Sequence, residues 1–108
     1  MATGRFFGVE LPVKVNTTVY TVPTDKQVVF TLNACNSGSK AVLLRIAFSA
    51  AATPVAGDWI EYDSSISSAA TVASFVRDGL VLGPGMKIIA YANESGLNLS
   101  GWGYEEPV

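Results

Sequence analysis

Residues 27–49 read QVVFTLNACNSGSKAVLLRIAFS. In the first run Val28, Phe30, Leu32 and Ala34 share one parity, and in the second Val42, Leu44, Ile46 and Phe48 do. A period of two puts each set on one face of an extended strand. Asn36-Ser37-Gly38-Ser39 lies between the runs, and Gly and Asn supply the backbone angles a reversal needs. The stretch therefore predicts a long antiparallel β-hairpin at the centre of an all-β domain. Cys35 sits inside the first run, which predicts a small buried thiol rather than a nucleophile.

Strand text continues on both sides. Val9, Leu11, Val13 and Val15 alternate with Glu10, Lys14 and Asn16, but Pro12 cannot donate to a ladder, so residues 1–16 read as an N-terminal arm or edge strand. Residues 17–108 form the sandwich domain of this reading. Thr17–Val22 is β-branched and ends at Pro23, where a turn follows. After a loop over Ala50–Asp58, the run DWIEYD alternates Ile60 and Tyr62 against Trp59, Glu61 and Asp63. Residues 64–70 show no stripe and read as a loop. Thr71–Leu82 reads as a strand interrupted at Asp78-Gly79, Lys87–Asn93 as a core strand, and Leu97–Glu105 as the last strand, with turns at Gly83-Pro84-Gly85 and Glu94-Ser95-Gly96. About eight short strands with no helix between them predict an antiparallel β-sandwich, immunoglobulin-like or jelly-roll-like.

Composition narrows the function. A chain of 108 residues has room for one domain, and its 49% hydrophobic content with positive mean hydropathy suits a packed core. Seven scattered basic residues against nine acidic ones offer no basic face for nucleic acid. A charged fraction of only 15% points to a surface that is not all given to water. The start of the chain lacks an apolar signal core, and no apolar run approaches the ~20 residues of a spanning helix, so neither secretion nor a membrane is expected. One cysteine allows no internal disulfide.

Catalytic chemistry is poorly supplied. There is no histidine, which removes the commonest general base and metal ligand. Glu61 and Asp63, with Asp58 nearby, could serve a two-carboxylate glycosidase. They read more simply as a solvated acidic stripe, and DWIEYD lacks the glycine and spacing of a calcium loop. Gly83-Pro84-Gly85 has no following Gly-Lys-Ser/Thr and reads as a turn rather than a phosphate loop. No enzyme, metal or cofactor is expected.

Aromatic residues are the better candidates, as interface anchors. Trp102 and Tyr104 have the parity opposite to Leu97 and Leu99, so either a bulge at Gly101 flips the register or the rings stand on the other face. Trp59 shares parity with Glu61 and Asp63. Phe6 and Phe7 are adjacent, so in a regular strand they face opposite ways and a second surface must cover one of them. These five residues make up the expected interface.

The succession Val19-Tyr20-Thr21-Val22-Pro23, Asn33-Ala34-Cys35-Asn36, Arg45-Ile46-Ala47-Phe48-Ser49, Asp58-Trp59-Ile60-Glu61-Tyr62-Asp63, Gly79-Leu80-Val81-Leu82-Gly83 and Gly101-Trp102-Gly103-Tyr104-Glu105-Glu106 resembles a group of small virion proteins of tailed bacteriophages. The likeness runs over residues 18–106. It departs from that pattern at Thr24-Asp25 and in the Ala/Ser-rich stretch 64–74, both of them loops. The resemblance implies a β-sandwich without catalytic residues, assembled into a virion in the host cytoplasm. A head decoration (cement) protein is expected first, binding the major capsid protein or other virion subunits as a homo-oligomer, with a trimer as first guess. The alternative is a tail, collar or fibre component, a receptor- or carbohydrate-binding module with Trp59 or Trp102 as stacking platform.

Overall fold

The computed structural model describes residues 3–68 and 74–108. Its strands are β1 (Thr3–Glu10), β2 (Thr17–Thr21), β3 (Lys26–Asn36), β4 (Val42–Ser49), β5 (Trp59–Ile66), β6 (Ser74–Leu82), β7 (Lys87–Ala92) and β8 (Leu97–Pro107). A 3-10 turn over Ala56–Asp58 precedes β5. Two antiparallel sheets, β1-β8-β3-β6 and β2-β7-β4-β5, pack face to face, which is the all-β sandwich of eight strands that the alternation predicted.

The central hairpin is corrected. β3 pairs with β8 and β6, and β4 with β7 and β5, so the segment between them carries the chain from one sheet to the other. Alternation says which face of a strand is apolar, but not whether the partner lies beside it or across the core. Here the apolar faces of β3 and β4 both look into the space between the sheets. Asn36 secures the corner: its amide donates to Lys40 O (2.7 Å) and Ile66 O (3.1 Å), and its Oδ1 accepts from Gly38 N at 2.9 Å. Opposite it, Gly96 approaches so closely that a Cβ there would lie 2.7 Å from Gly38 Cα.

Val28, Leu32, Leu44, Ile46, Ile88, Leu97 and Leu99 are shielded from solvent in one core, with Phe30 edge-on to Phe48 at 5.8 Å between centroids. Burying each such side chain contributes about 1.5–3 kcal/mol. Cys35 is a second correction. It follows the inward Ala34, so the period of two turns it outward with Val29, Thr31 and Asn33, and it is exposed.

Bulges account for most other departures. In β6 the interruption at Asp78-Gly79 is a shift in register against β3, with Gly79 at φ 68°. In β5 the register against β4 shifts twice, and Asp63 adopts φ 57°. The alternation expected for DWIEYD is therefore broken, and the strand continues through Ser64–Ile66, where a loop was expected. Residues 69–73, which include the end of that expected loop and the start of the expected strand at 71, lie outside the described residues.

The N-terminal segment is an edge strand of its own sheet. β1 pairs antiparallel with β8, and Phe6 is the extra residue of a bulge between Arg5, opposite Trp102, and Phe7, opposite Gly101. The requirement that adjacent rings face opposite ways holds for a regular strand and fails at this bulge. Phe6 and Phe7 both stack on Tyr20 of β2, with centroids at 5.1 Å and 6.3 Å, so no second surface is needed to cover either. Beyond Glu10, Leu11 N donates to Leu97 O and Lys14 N to Ala92 O, so the chain around Pro12 crosses from one sheet to the other.

Candidate functional site

β8 places the aromatic pair. Its register with β3 runs unbroken from Leu97 opposite Asn36 to Pro107 opposite Lys26. Leu97, Leu99 and Gly101 therefore point into the core, and Trp102 and Tyr104 stand on the outer face of the β1-β8-β3-β6 sheet. The small residue at 101 is required by Phe7, because a Cβ on Gly101 would sit 2.6 Å from Phe7 Cε1. Gly103 lets β8 lie against β3, since a Cβ there would meet Val29 O at 2.0 Å.

On this outer face Tyr104 is opposite Val29, Val29 is opposite Val81, and Trp102 is opposite Thr31. Trp102, Tyr104 and Val81 are 42%, 41% and 60% exposed, and Val76, opposite Asn33, is 46% exposed. One end of the sheet thus carries an apolar and aromatic band across β8, β3 and β6, where an antiparallel sheet facing water is ordinarily polar.

The other end is polar. A shallow cavity of about 300 Å³ is lined by Arg5, Gly8, Val9, Glu10, Asn33, Cys35, Asn98, Leu99 and Ser100. The Arg5 guanidinium lies over Gly8, where a Cβ would come within 2.8 Å of its Cζ. Among the described residues neither Arg5 nor Glu10 has an ion-pair partner. Asn98 is held by its amide, which donates to Ser37 Oγ at 3.0 Å and to Gly96 O at 3.3 Å.

Trp59 belongs elsewhere. It opens β5 on the other sheet, opposite Ala47, and meets Tyr62 edge-on at 5.4 Å. Arg45 lies over the rings of Tyr62 and Tyr91 at 4.2 Å and 4.6 Å, and its guanidinium donates to both oxygens of Asp63 at 2.6 Å and 3.3 Å. Asp63 holds the Arg45 pKa above its ordinary value. Glu61 instead accepts from Arg77 Nε at 3.0 Å and Ser64 Oγ at 2.6 Å, tying the β5 edge of one sheet to the β6 edge of the other. The two carboxylates therefore serve separate cationic partners.

Of the five expected interface residues, the fold brings Trp102 and Tyr104 together and leaves them exposed. It packs Phe6 and Phe7 on Tyr20 within the domain, and it leaves Trp59 half-buried beside Tyr62 on the other sheet. Sequence reading missed Val29, Val81, Asn33, Asn98 and Ser100. Their signal is the alternate parity of β3 and β8, which acquires meaning only once the two strands are known to be neighbours. No family model matches the chain, and no curated protein matches it.

Proposed function

We propose that this protein is a non-enzymatic structural component of a tailed-bacteriophage virion, most specifically a capsid decoration protein that seats the outer face of the β1-β8-β3-β6 sheet on the coat lattice. The observation that carries the reading is the exposed band of Trp102, Tyr104 and Val81, with half-buried Val29 between the last two. A rigid sheet presenting two aromatic rings and aliphatic neighbours has the composition of an interface core, and aromatic anchors commonly dominate binding energy. The six ordered motifs support the virion setting. In this reading the partners are the major capsid protein or other virion subunits, and copies of the chain associate with one another, as a trimer in the first instance.

Quantitative mass spectrometry of purified particles of the phage that encodes the chain tests this. A copy number comparable with that of the coat protein is the expected result. A handful of copies would assign the chain to the tail, collar or fibre, and absence from the particle would remove the virion reading.

A further inference from the structure

We propose that the polar cavity beside Trp102 is a binding site for a neutral sugar ring. This inference stands on the lining of the cavity and not on the virion reading, although Trp102 is common to the edge of the cavity and to the exposed band. The cavity, at about 300 Å³, lies at the lower end of the ~300–1,000 Å³ range of small-ligand sites. Its polar lining combines a donor-only guanidinium (Arg5), an acceptor-only carboxylate (Glu10), two carboxamides (Asn33, Asn98) and a hydroxyl (Ser100). Asn33, Ser100, Arg5 and Glu10 make no side-chain hydrogen bond to another described residue, so their capacity is open to a ligand.

That inventory suits hydroxyl groups, each of which donates once and accepts twice. One positive and one negative group on the same rim disfavour a simple anion or cation. Next to the cavity, Trp102 faces Arg5 across the β1–β8 ladder and lies two residues beyond Ser100 on the same face. Trp102 does not line the cavity itself but stands at its edge, where its half-exposed ring is placed to meet the C–H face of a pyranose that extends past Arg5 and Ser100. Gly8 makes room for Arg5: its missing side chain is what allows the guanidinium to lie over the backbone there.

The test is a heteronuclear NMR titration of the intact chain with the methyl glycosides of glucose, galactose, mannose and N-acetylglucosamine, alongside glycine and inorganic phosphate. At least one glycoside is expected to give saturable shifts at Asn33, Asn98, Ser100 and the Trp102 indole, with a Kd on the order of 1 mM. Gly8→Ala, whose Cβ would lie 2.8 Å from Arg5 Cζ and so displaces the guanidinium from the site, and Asn33→Ala should each weaken binding by about tenfold or more. Tyr104→Ser should leave it unchanged, as should Trp59→Ala on the other sheet. No saturable shift with any glycoside would overturn the proposal. So would saturation by glycine or phosphate alone, or glycoside binding that Gly8→Ala and Asn33→Ala leave intact.

Discussion

The Phe6 ring lies on the Tyr20 ring with centroids 5.1 Å apart and planes within 14° of parallel, which joins the N-terminal strand of one sheet to the edge strand of the other. Strand β1 is therefore part of the fold's own closure. Phe7, 8% exposed, packs beside them. Phe7→Ala should cost about 3–5 kcal/mol in chemical denaturation. Deleting residues 1–8 should lower the melting temperature markedly, and an unchanged melting temperature would show that this strand is dispensable.

Phe30 and Ile46 lie on the inward faces of β3 and β4, 2% and 0% exposed. Truncation of either to Ala should cost about 2–5 kcal/mol. Losses below about half a kcal/mol at both sites, within the range of surface substitutions, would mean that the faces are reversed.

Gly101 and Phe7 occupy one volume. Gly101→Ala should destabilise by about 1–3 kcal/mol through overpacking. Combining it with Phe7→Leu should recover part of that loss, measured as a double-mutant cycle. Strict additivity would indicate that the Phe7 ring is not what excludes a side chain at 101.

Tyr20 donates its hydroxyl to Glu105, linking β2 to β8. Burial first, and then the hydrogen bond to Glu105 and its charge, push the Tyr20 pKa well above its ordinary value. The folded state thus holds this proton after the unfolded chain has released it. Its contribution to stability is fully present below pH ~10 and falls as pH rises from there towards the folded pKa. The stability advantage of wild type over Tyr20→Phe should accordingly shrink above pH ~10, followed by denaturant titration at several pH values. A gap that stays constant with pH would contradict the assignment.

Sequence alternation carried the fold class because burial in a sandwich is read out residue by residue: Val28 to Ala34, Leu44, Ile46 and Ile88 all lie where the period of two put them. Pairing was not legible, because the same apolar faces suit a hairpin and a corner equally well. The bulges at Phe6, near Gly79 and along β5 were hidden too, since an extra residue changes parity without changing composition. At the candidate site, the off-parity of Trp102 and Tyr104 was visible in the sequence. The valines beside them and the cavity at Asn33 and Asn98 were not, because they exist only through the register of β8 on β3.

In the proposed reading, self-association draws on the same surface. The wild-type chain should sediment as an oligomer, and Val81→Lys, on the exposed band, should shift it towards monomer by burying a charge in the interface. A wild type that remains an 11.3 kDa species at working concentration would contradict association in solution.

The central claim is most directly tested by adding purified protein to particles that lack it and measuring bound copies per particle. Wild type should bind saturably. The double variant Trp102→Ser/Tyr104→Ser should lose most of that occupancy with little change in melting temperature, because both rings stand outside the core. Wild-type protein that fails to bind, or a double variant that binds at wild-type occupancy, would contradict the account.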